Sequence, residues 1–275
     1  MRLEAAKKEL PAALLEEQAS AVRRNAKQHA LIAALNSAPK LNVIAEFKRR
    51  SPSKGEIRSN VQPATMARCY EVAGARAVSV LTEEDNFGGS LTDLVAVREA
   101  VSCPVLRKDF IFDSYQLYES AAAGADALLL IVAALDDDQL RTLRYITEED
   151  LGMDALVEVH NEGEMDRAIS LGSKLIGVNN RDLRTFTVSI ETSVRLAAIA
   201  PEGTTLVSES GLSNSDDLQR LSTLGYKGFL IGESLMRADD PGLALQALLQ
   251  RLAHDSDLVA TKSGDRYDDP RTDNA

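Results

Sequence analysis

The chain has 275 residues, which allows one large domain or two small ones. With 44% hydrophobic and 27% charged residues, its composition is that of a globular protein and excludes a largely disordered or fibrous chain. The formal net charge of -11 disfavours a general nucleic-acid binder, since a phosphate backbone attracts cationic surfaces. Aromatic residues make up only 4%, so the core must consist of Ala, Val, Leu and Ile.

Signals for membrane insertion, secretion and metal binding are missing from the sequence. No apolar run approaches the roughly 20 residues of a membrane span, and the N-terminal MRLEAAKKELPAALLEEQ contains no apolar signal-peptide segment. Cys69 and Cys103 have no metal-ligand spacing to any of the three histidines, which argues against a disulfide framework and a structural zinc site. We therefore expect a cytoplasmic protein that binds no metal and contacts no membrane.

Two segments lie outside the main pattern of the chain. Residues 1–40 predict one or two amphipathic helices, with Pro39 as a stop signal. Two arrangements of this helical extension are open, a lid across one end of the following domain or an extension packed against it. Residues 253–275 are polar and have no hydrophobic period, so we expect a disordered tail whose removal leaves folding and activity unchanged.

A repeated pattern dominates residues 41–252. Four segments, starting at Ala73, Ala123, Leu171 and Leu224, each end a helix with Gly, pass a short turn and enter an apolar strand. The pattern recurs about every 50 residues, and four further apolar strands lie at 43–47, 104–107, 155–159 and 205–208. Strict alternation of strand and helix predicts parallel strands with right-handed crossovers.

Eight such units in about 210 residues predict a (β/α)8 TIM barrel with an N-terminal helical extension. The alternative, a doubly wound open sheet, would carry GxGxxG after the first strand, and the sequence has none there. In a TIM barrel the active site forms at the C-terminal ends of the strands, so the residues that follow each apolar run are the candidates for chemistry.

The seventh and eighth strands end in small residues, within the sequences SESG and GES. Ser210, Gly211 and Gly232 leave backbone N–H groups accessible, and barrels of this class often bind phosphate at this place. Each ending by itself is explained by turn formation. Because two such endings follow adjacent strands, we predict a phosphate site there, to which Lys48 would add a positive charge.

Charged residues interrupt the apolar strands. Glu46 and Lys48 lie on one side of the first strand by the two-residue period, and Glu158 is flanked by valines in the fifth. Buried carboxylates and lysines are costly unless they are paired, and their pKa values can then be tuned. With Lys108 and Asn179 at two further strand ends, they predict an acid–base site, although position alone leaves a solvated strand end open for Lys108.

Other candidates have simpler explanations. His160 could be catalytic, but we interpret it as a residue that caps or lines the helix after the fifth strand. We interpret Cys69 and Cys103 as packing residues and Arg49 and Arg50 as part of a solvated loop.

Eight segments, in order and with matching spacing, resemble the indole-3-glycerol-phosphate synthase family: IAEFKRRSPSKGEI, SVLTEEDNFGGSL, VLRKDFIFDSYQLYE, ADALLLIVAAL, LVEVHNEGEMDRA, IGVNNRDLRTF, LVSESGL and FLIGESLMR. The resemblance covers about residues 40–252. It implies a lyase of tryptophan biosynthesis that converts 1-(2-carboxyphenylamino)-1-deoxyribulose 5-phosphate to indole-3-glycerol phosphate, CO₂ and water, without a metal or cofactor. It also implies that the N-terminal helices partly cover the substrate pocket.

The resemblance implies catalytic roles for five residues. Lys108 matches the family's general acid of ring closure, and Glu158 matches the glutamate with acid or base duty in dehydration. Lys48 matches the lysine that contacts the substrate carboxylate or phosphate and can donate a proton, and Glu46 matches the glutamate that orients these lysines. Asn179 matches the asparagine that holds substrate hydroxyls.

The resemblance also implies the residues that bind substrate. Glu209 and Ser210 match the pair at the end of the seventh strand, with Ser210 counted among the catalytic residues. Gly211, Gly232 and Glu233 align with the backbone positions that cradle the phosphate. We expect the carboxylate of Glu233 to point away from that phosphate, so that only its backbone N–H contributes.

Two other functions stay open from the sequence. A phosphoribosylanthranilate isomerase-like barrel would require an acid–base pair of Cys and Asp at strand ends, where the first strand has Glu46 and Lys48. A barrel that binds a phosphorylated metabolite without converting it would be expected to lack Lys108 or Glu158, and both are present.

We expect the partner of this chain to be a phosphorylated small-molecule substrate and not a nucleic acid. Ser51 and Arg181 are expected next to the substrate site. We further expect a monomer, with association with other enzymes of the tryptophan pathway as an additional expectation.

Overall fold

Eight parallel strands form a closed barrel in the computed structural model, which describes residues 2–37, 41–52 and 54–250. The strands are β1 (Asn42–Phe47), β2 (Ala77–Leu81), β3 (Val105–Lys108), β4 (Ala127–Ile131), β5 (Asp154–Val159), β6 (Leu175–Asn179), β7 (Thr205–Glu209) and β8 (Tyr226–Ile231). The first strand pairs in parallel with both β2 and β8, which closes the sheet. The predicted (β/α)8 TIM barrel is confirmed.

Helices precede the barrel and follow each of its strands. They are α1 (Arg2–Glu9), α2 (Ala12–Arg23), α3 (Ala30–Asn36), α4 (Pro63–Val72), α5 (Leu91–Ala100), α6 (Ser114–Ala122), α7 (Asp137–Tyr145), α8 (Glu162–Ser170), α9 (Glu191–Ala197), α10 (Ser215–Thr223) and α11 (Glu233–Arg237). A 3₁₀ turn (Val132–Ala134) and a π-helical turn (Ile146–Asp150) flank α7, and residues 241–250 are also helical. In the described part of the chain, no helix is long and apolar enough to cross a membrane. Pro39 and the tail predicted at 253–275 lie outside the described residues.

The glycines of the repeat end the helices that precede four of the strands. Gly74, Gly124, Gly172 and Gly225 have φ angles of 103°, 84°, 77° and 101°, which lie in the region that favours glycine. Each amide donates a hydrogen bond to the carbonyl three residues earlier. The chain thereby reverses within two or three residues and enters the next strand, which explains why the sequence pattern located these strands.

Strand residues alternate between the barrel interior and the layer of helices. The apolar interior contains one residue from the first half of several strands: Ile44, Leu106, Leu156, Leu175 and Val207. Their chain neighbours face outward and pack against the helices. Because side chains repeat with a period of two, the next interior positions lie at the C-terminal ends and are polar or open: Glu46, Lys108, Glu158, Gly177 and Glu209.

The N-terminal extension consists of three helices, where the hydrophobic pattern predicted one or two. The first break falls at Pro11, which precedes α2 and cannot donate a backbone hydrogen bond to continue α1. The second falls at His29, whose left-handed backbone with φ of 48° precedes α3. The helix α1 lies near the loop after β3, where the Tyr115 hydroxyl donates to two carbonyls of the α1 segment.

The last helix of the extension covers the N-terminal end of the barrel. Leu31 and Leu35 of α3 are fully buried in the interior apolar cluster. Asp154, the first residue of β5, accepts hydrogen bonds from the amides of Leu31 at 2.8 Å and Ile32 at 3.0 Å. A buried carboxylate thus satisfies the free N–H groups of the first helical turn. The extension therefore packs against the barrel, and its helix α3 covers the end opposite to the predicted active site.

Candidate active site

A cavity of about 420 Å³ opens at the C-terminal ends of the barrel strands. Its floor consists of strand-end side chains, and its walls are the loops that follow the strands. All twelve predicted site residues line it: Glu46, Lys48, Ser51, Lys108, Glu158, Asn179, Arg181, Glu209, Ser210, Gly211, Gly232 and Glu233. Among the described residues, those that line it lie between Glu46 and Arg237, and none belongs to the N-terminal helices that the resemblance placed partly over the pocket.

Lys108 lies between two carboxylates on the floor of the cavity. Its Nζ donates to Oε2 of Glu209 at 2.6 Å and to Oε2 of Glu158 at 3.1 Å. The three side chains are 14%, 1% and 4% exposed, and they come from β3, β7 and β5. Lys108 is therefore a buried, doubly paired ammonium and not a solvated strand end.

Burial and charge oppose each other in this cluster. Burial alone would lower the pKa of Lys108, but the charges of Glu209, Glu158 and Glu46 raise it above its ordinary value. Burial raises the pKa of Glu209 to about 7, against the opposing charge of Lys108. Burial would also raise the pKa of Glu158, but the charge of Lys108 and the contact with His160 lower it well below its usual range. The cluster thus holds a protonated amine beside an ionised carboxylate.

A second lysine–carboxylate pair lies at the end of β1. Nζ of Lys48 donates to Oε1 of Glu46 at 2.6 Å, and the two side chains are 16% and 3% exposed. The charge of Glu46 also acts on Lys108, so Glu46 interacts with both lysines. The structure places both residues in the cavity wall, as the two-residue period of the strand predicts.

Two glycines provide the space that the buried carboxylates occupy. A Cβ atom at Gly177 of β6 would overlap Oε1 of Glu209. A Cβ atom at Gly232, directly after β8, would overlap Oε1 of Glu46. A larger residue at either position would displace a carboxylate that holds one of the lysines.

The loops after β7 and β8 meet at one edge of the cavity. Ser210 and Gly211 have φ angles of 67° and 77°, and a non-glycine residue adopts this conformation only at a cost. Ser51, in the loop after β1, is 9% exposed, and its hydroxyl has no hydrogen-bond partner among the described residues. A buried hydroxyl without a partner is unfavourable, so the part of the cavity that Ser51 lines suits a polar ligand.

Hydrogen bonds and ion pairs position the remaining predicted residues. Oδ1 of Asn179 accepts a hydrogen bond from the amide of Arg181 at 3.0 Å, and the Asn179 side chain also contacts Glu158. The Glu233 carboxylate lies 3.2 Å from Nε of Arg237 and 4.0 Å from Nη2 of Arg181. Within the described residues, no three His, Cys, Asp or Glu side chains are grouped so that they could hold a metal ion.

Comparisons with known proteins show the family of this chain. The sequence profile described as indole-3-glycerol phosphate synthase matches residues 1–248. The chain belongs to the indole-3-glycerol phosphate synthase family. The relative of that name from Carboxydothermus hydrogenoformans is 52% identical over 215 residues, which cover 78% of this chain and 81% of that protein. The relative of that name from Mycolicibacterium gilvum is 48% identical over 256 residues, 93% of each chain.

A solved structure of a differently named protein has a similar fold. Thiamine phosphate pyrophosphorylase from Pyrococcus furiosus superposes with a TM-score of 0.56 over 78% of this chain and 96% of that chain. The two sequences are 15% identical, so the likeness concerns the barrel fold alone.

Membership of the indole-3-glycerol phosphate synthase family makes this chain a carboxy-lyase of tryptophan biosynthesis that acts on a phosphorylated small molecule. The isomerase-like alternative gains no support from the geometry. Cys69 lies in α4, and Cys103 lies just before β3, at the opposite end of that strand from the cavity. Neither cysteine is among the residues that line the cavity.

The sequence interpretation of His160 was incomplete. Its Nδ1 lies 2.9 Å from Oε2 of Glu164 in α8, in line with a residue that lines this helix. Its Nε2, however, lies 3.2 Å from Oε1 of Glu158. The sequence could have indicated this contact, because a residue two positions after Glu158 lies on the same side of the strand.

Sequence reasoning also missed the apolar wall of the cavity. Phe110, Leu183 and Phe186 line it and are 47%, 46% and 49% exposed. They stand in polar loops after β3 and β6, where a large apolar side chain has no core to join. A large apolar side chain in a polar loop is the sequence signal that could have identified these three residues.

Arg49 and Arg50, which the sequence analysis assigned to a solvated loop, connect the loop after β1 with the segment that follows β2. Arg49 donates to both carboxylate oxygens of Asp93 in α5, and its guanidinium lies 5.0 Å from the centre of the Phe47 ring. Arg50 donates to main-chain carbonyls in the loop after β2. These contacts fix the base of the β1 loop, which includes a short hairpin of Arg50–Ser51 with Gly55–Glu56.

Proposed function

We propose that Lys108 and Glu158 perform the acid–base steps by which this chain converts 1-(2-carboxyphenylamino)-1-deoxyribulose 5-phosphate to indole-3-glycerol phosphate, CO₂ and water. The observation that carries this assignment is the Lys108 ammonium held between Glu158 and Glu209 on the cavity floor. General acid catalysis requires a protonated donor at a fixed position, and a buried amine held by two carboxyl groups, of which Glu158 is ionised, meets both requirements.

Lys108 supplies the proton of ring closure. The ring carbon that bears the carboxylate attacks the ketone carbon, and the ketone oxygen takes up a proton as its double bond opens. The raised pKa of Lys108, which its carboxylate partners cause against the effect of burial, keeps the amine protonated before this step. Loss of CO₂ then restores the aromatic ring.

Glu158 acts in the dehydration that follows. The new hydroxyl leaves as water, and a base must accept the proton whose loss completes the indole double bond. Glu158 is ionised in the structure, because Lys108 and His160 lower its pKa against the effect of burial. Asn179, whose side chain contacts Glu158, holds substrate hydroxyls, and Lys48, which lines the same cavity, protonates the leaving hydroxyl.

The phosphate end of the substrate fits the edge formed by the loops after β7 and β8. Ser210 and Gly211 present their backbone there in the left-handed conformation, and Gly232 and Glu233 stand opposite at the start of α11. The partnerless hydroxyl of Ser51 supports an acceptor ligand at this edge, since a phosphate oxygen can accept its proton. Lys48 and Arg181 supply the positive charge that balances the phosphate.

The aromatic end of the substrate fits the apolar wall. Phe110, Leu183 and Phe186 line the cavity and are about half exposed, and a carboxyphenyl ring would cover part of this surface. Covering this surface contributes roughly 25 cal/mol for each Å² of apolar area removed from water. Orientation along the cavity then follows from the two ends, with phosphate at one edge and ring at the other.

We further propose a cytoplasmic monomer that can associate with other enzymes of the pathway. Sedimentation of the full chain at micromolar concentration tests the monomer directly.

Incubation of the purified protein with the carboxyphenylamino-deoxyribulose phosphate tests the function. We expect an increase of indole fluorescence with release of one CO₂ for each indole formed. A protein that binds this substrate and releases neither product would refute the catalytic proposal and would favour the non-catalytic binding barrel.

A further inference from the structure

The two oxygens of the Glu158 carboxylate have different partners. Its Oε2 faces Lys108 in the cavity, whereas its Oε1 lies 3.2 Å from Nε2 of His160. The imidazole is 11% exposed and is not part of the cavity lining. His160 therefore contacts Glu158 from outside the cavity, at the oxygen that does not contact Lys108.

A second carboxylate holds the other side of the imidazole. Oε2 of Glu164 lies 2.9 Å from Nδ1 of His160 and also accepts the His160 amide at 2.8 Å. Asn161, the N-cap of α8, donates to the other oxygen of Glu164 at 2.7 Å. A carboxylate in the first turn of a helix is favoured by the partial positive charge of the N-terminus. The start of α8 thus anchors an imidazole that reaches back to β5.

We propose that His160 is a positioning residue for Glu158, which as an imidazolium held by Glu164 keeps Oε1 of Glu158 fixed and the carboxylate ionised. This inference rests on the proposed role of Glu158 as the base of dehydration. A simple ion pair between His160 and Glu158 would not require Glu164 on the other side of the ring. An imidazolium that is held in one position requires both carboxylates.

The need for such a residue follows from the mechanism. Lys108 is one of the two cations that keep Glu158 ionised, and it must leave Glu158 in order to donate its proton to the ketone oxygen. His160 does not face the substrate, so its contact persists through that step. Glu158 is then still an anion when the dehydration requires a base.

The charged groups around the pair support a cationic imidazole. Glu158 from β5 and Glu164 from α8 face His160 directly, while Lys108 from β3 and Glu209 from β7 face Glu158 from across the barrel. Burial alone would lower the pKa of His160, but the close contacts with Glu158 and Glu164 and their charges raise it to about 10. The pKa of Glu164 is lowered by the same contact, against the effect of burial.

Two replacements separate charge from position. His160→Asn places an amide near the former Nδ1 and keeps a contact with Glu164, but it cannot reach Glu158. His160→Gln places an amide near the former Nε2 and keeps a neutral donor for Glu158. Glu162→Gln is the matched control, because Glu162 lies on the same helix, is 55% exposed and pairs with Arg195.

The pH dependence of kcat is the kinetic measurement. Because an adjacent cation lowers a carboxyl pKa by about 1–3 units, His160→Asn should move the acid limb of the profile upward by about that much. His160→Gln should give an intermediate shift, KM should change less than about threefold in both, and Glu162→Gln should match the wild type. An unmoved acid limb in His160→Asn, with kcat lower at every pH, would overturn the proposal.

Two-dimensional NMR of the imidazole nitrogens tests the proposal without any turnover. The chain has three histidines, so loss of one signal in His160→Asn assigns it. We expect that signal to stay doubly protonated at pH 8, and a neutral imidazole there would overturn the inference. If the wild type forms no indole product, the proposed function fails while this measurement still decides the state of His160.

A variant that keeps the imidazole covers the case in which His160→Asn does not fold. Glu164→Gln retains the amide contacts at the start of α8 and removes the anion behind His160. It should move the acid limb in the same direction by a smaller amount and lower the pH at which the imidazole loses its proton. An unchanged imidazole titration in Glu164→Gln would contradict the assigned role of Glu164.

Discussion

Replacement of Lys108 by Met tests the centre of the proposed mechanism. Methionine has a similar length and no charge, so the change removes the ammonium that lies 2.6 Å from Glu209 and 3.1 Å from Glu158. The proton donor of ring closure is lost, while the residues assigned to the phosphate and the aromatic ring stay in place. We therefore expect a large loss of kcat and a small change of KM.

The magnitude follows from two separate effects. A positioned general acid contributes about 10²- to 10⁴-fold, which corresponds to about 3–5 kcal/mol of transition-state stabilisation. Removal of one partner from a buried ion pair also costs about 3–5 kcal/mol of stability, because a charge is left in the interior. Glu158 and Glu209 are 4% and 1% exposed, so this cost applies unless one of them takes up a proton. The stability loss should accordingly be smaller at pH 5.5 than at pH 8.

Lys108→Arg is the matched control for these two effects. The guanidinium keeps the positive charge beside both carboxylates, but it holds its proton too tightly to be a good proton donor. Steady-state assays by indole fluorescence, with melting curves of the same samples, should show Lys108→Arg to be more stable than Lys108→Met yet slow. Turnover within tenfold of the wild type in Lys108→Met, in a sample shown to be folded, would refute the assignment of Lys108 as the acid.

Three further outcomes are expected. Glu158→Gln should lower kcat at least a hundredfold while substrate affinity by calorimetry changes little, and an unchanged kcat would remove Glu158 from the mechanism. Burial raises the pKa of Glu209 from 4.5 to about 7, so the folded state binds this proton more tightly than the unfolded state. The folded state therefore loses stability as the pH rises through that window. Tm should fall less between pH 4.5 and 7 in Glu209→Gln than in the wild type, and parallel curves for the two proteins would contradict this. Gly177→Ala should cost about 1–3 kcal/mol of stability and also lower kcat, because its Cβ displaces Glu209 from Lys108; a fully active variant would show that this carboxylate can move freely.

The strands and their interior faces could be predicted from the sequence because their signals are local. Gly74 and Gly124 end helices within the repeat, and both adopt the positive φ that the pattern requires. The two-residue period of a strand places Glu46 on the same face as Ile44, and the structure has both inside the barrel. Such patterns depend on residues a few positions apart, so they do not require knowledge of the fold.

The extension and the second contact of Glu158 could not be predicted in the same way. The break at His29 depends on a left-handed backbone that docks α3 onto Asp154, a residue 125 positions away. His160 had a satisfactory local explanation in the helix that follows it, and Glu164 does lie there. Its contact with Glu158 depends on the rotamers of both side chains, which the packing around the barrel selects.

The sequence by itself determined that this chain is a barrel of eight strands, which residues end those strands, and which family it belongs to. Tertiary structure alone decided how the charges pair. Lys108 meets Glu158 and Glu209 across 50 and 101 positions of chain, because closure of the sheet brings the ends of β3, β5 and β7 to one floor. Local periodicity sets the face on which a side chain lies, whereas the distance between side chains across a barrel depends on strand stagger and on the space left by residues such as Gly177.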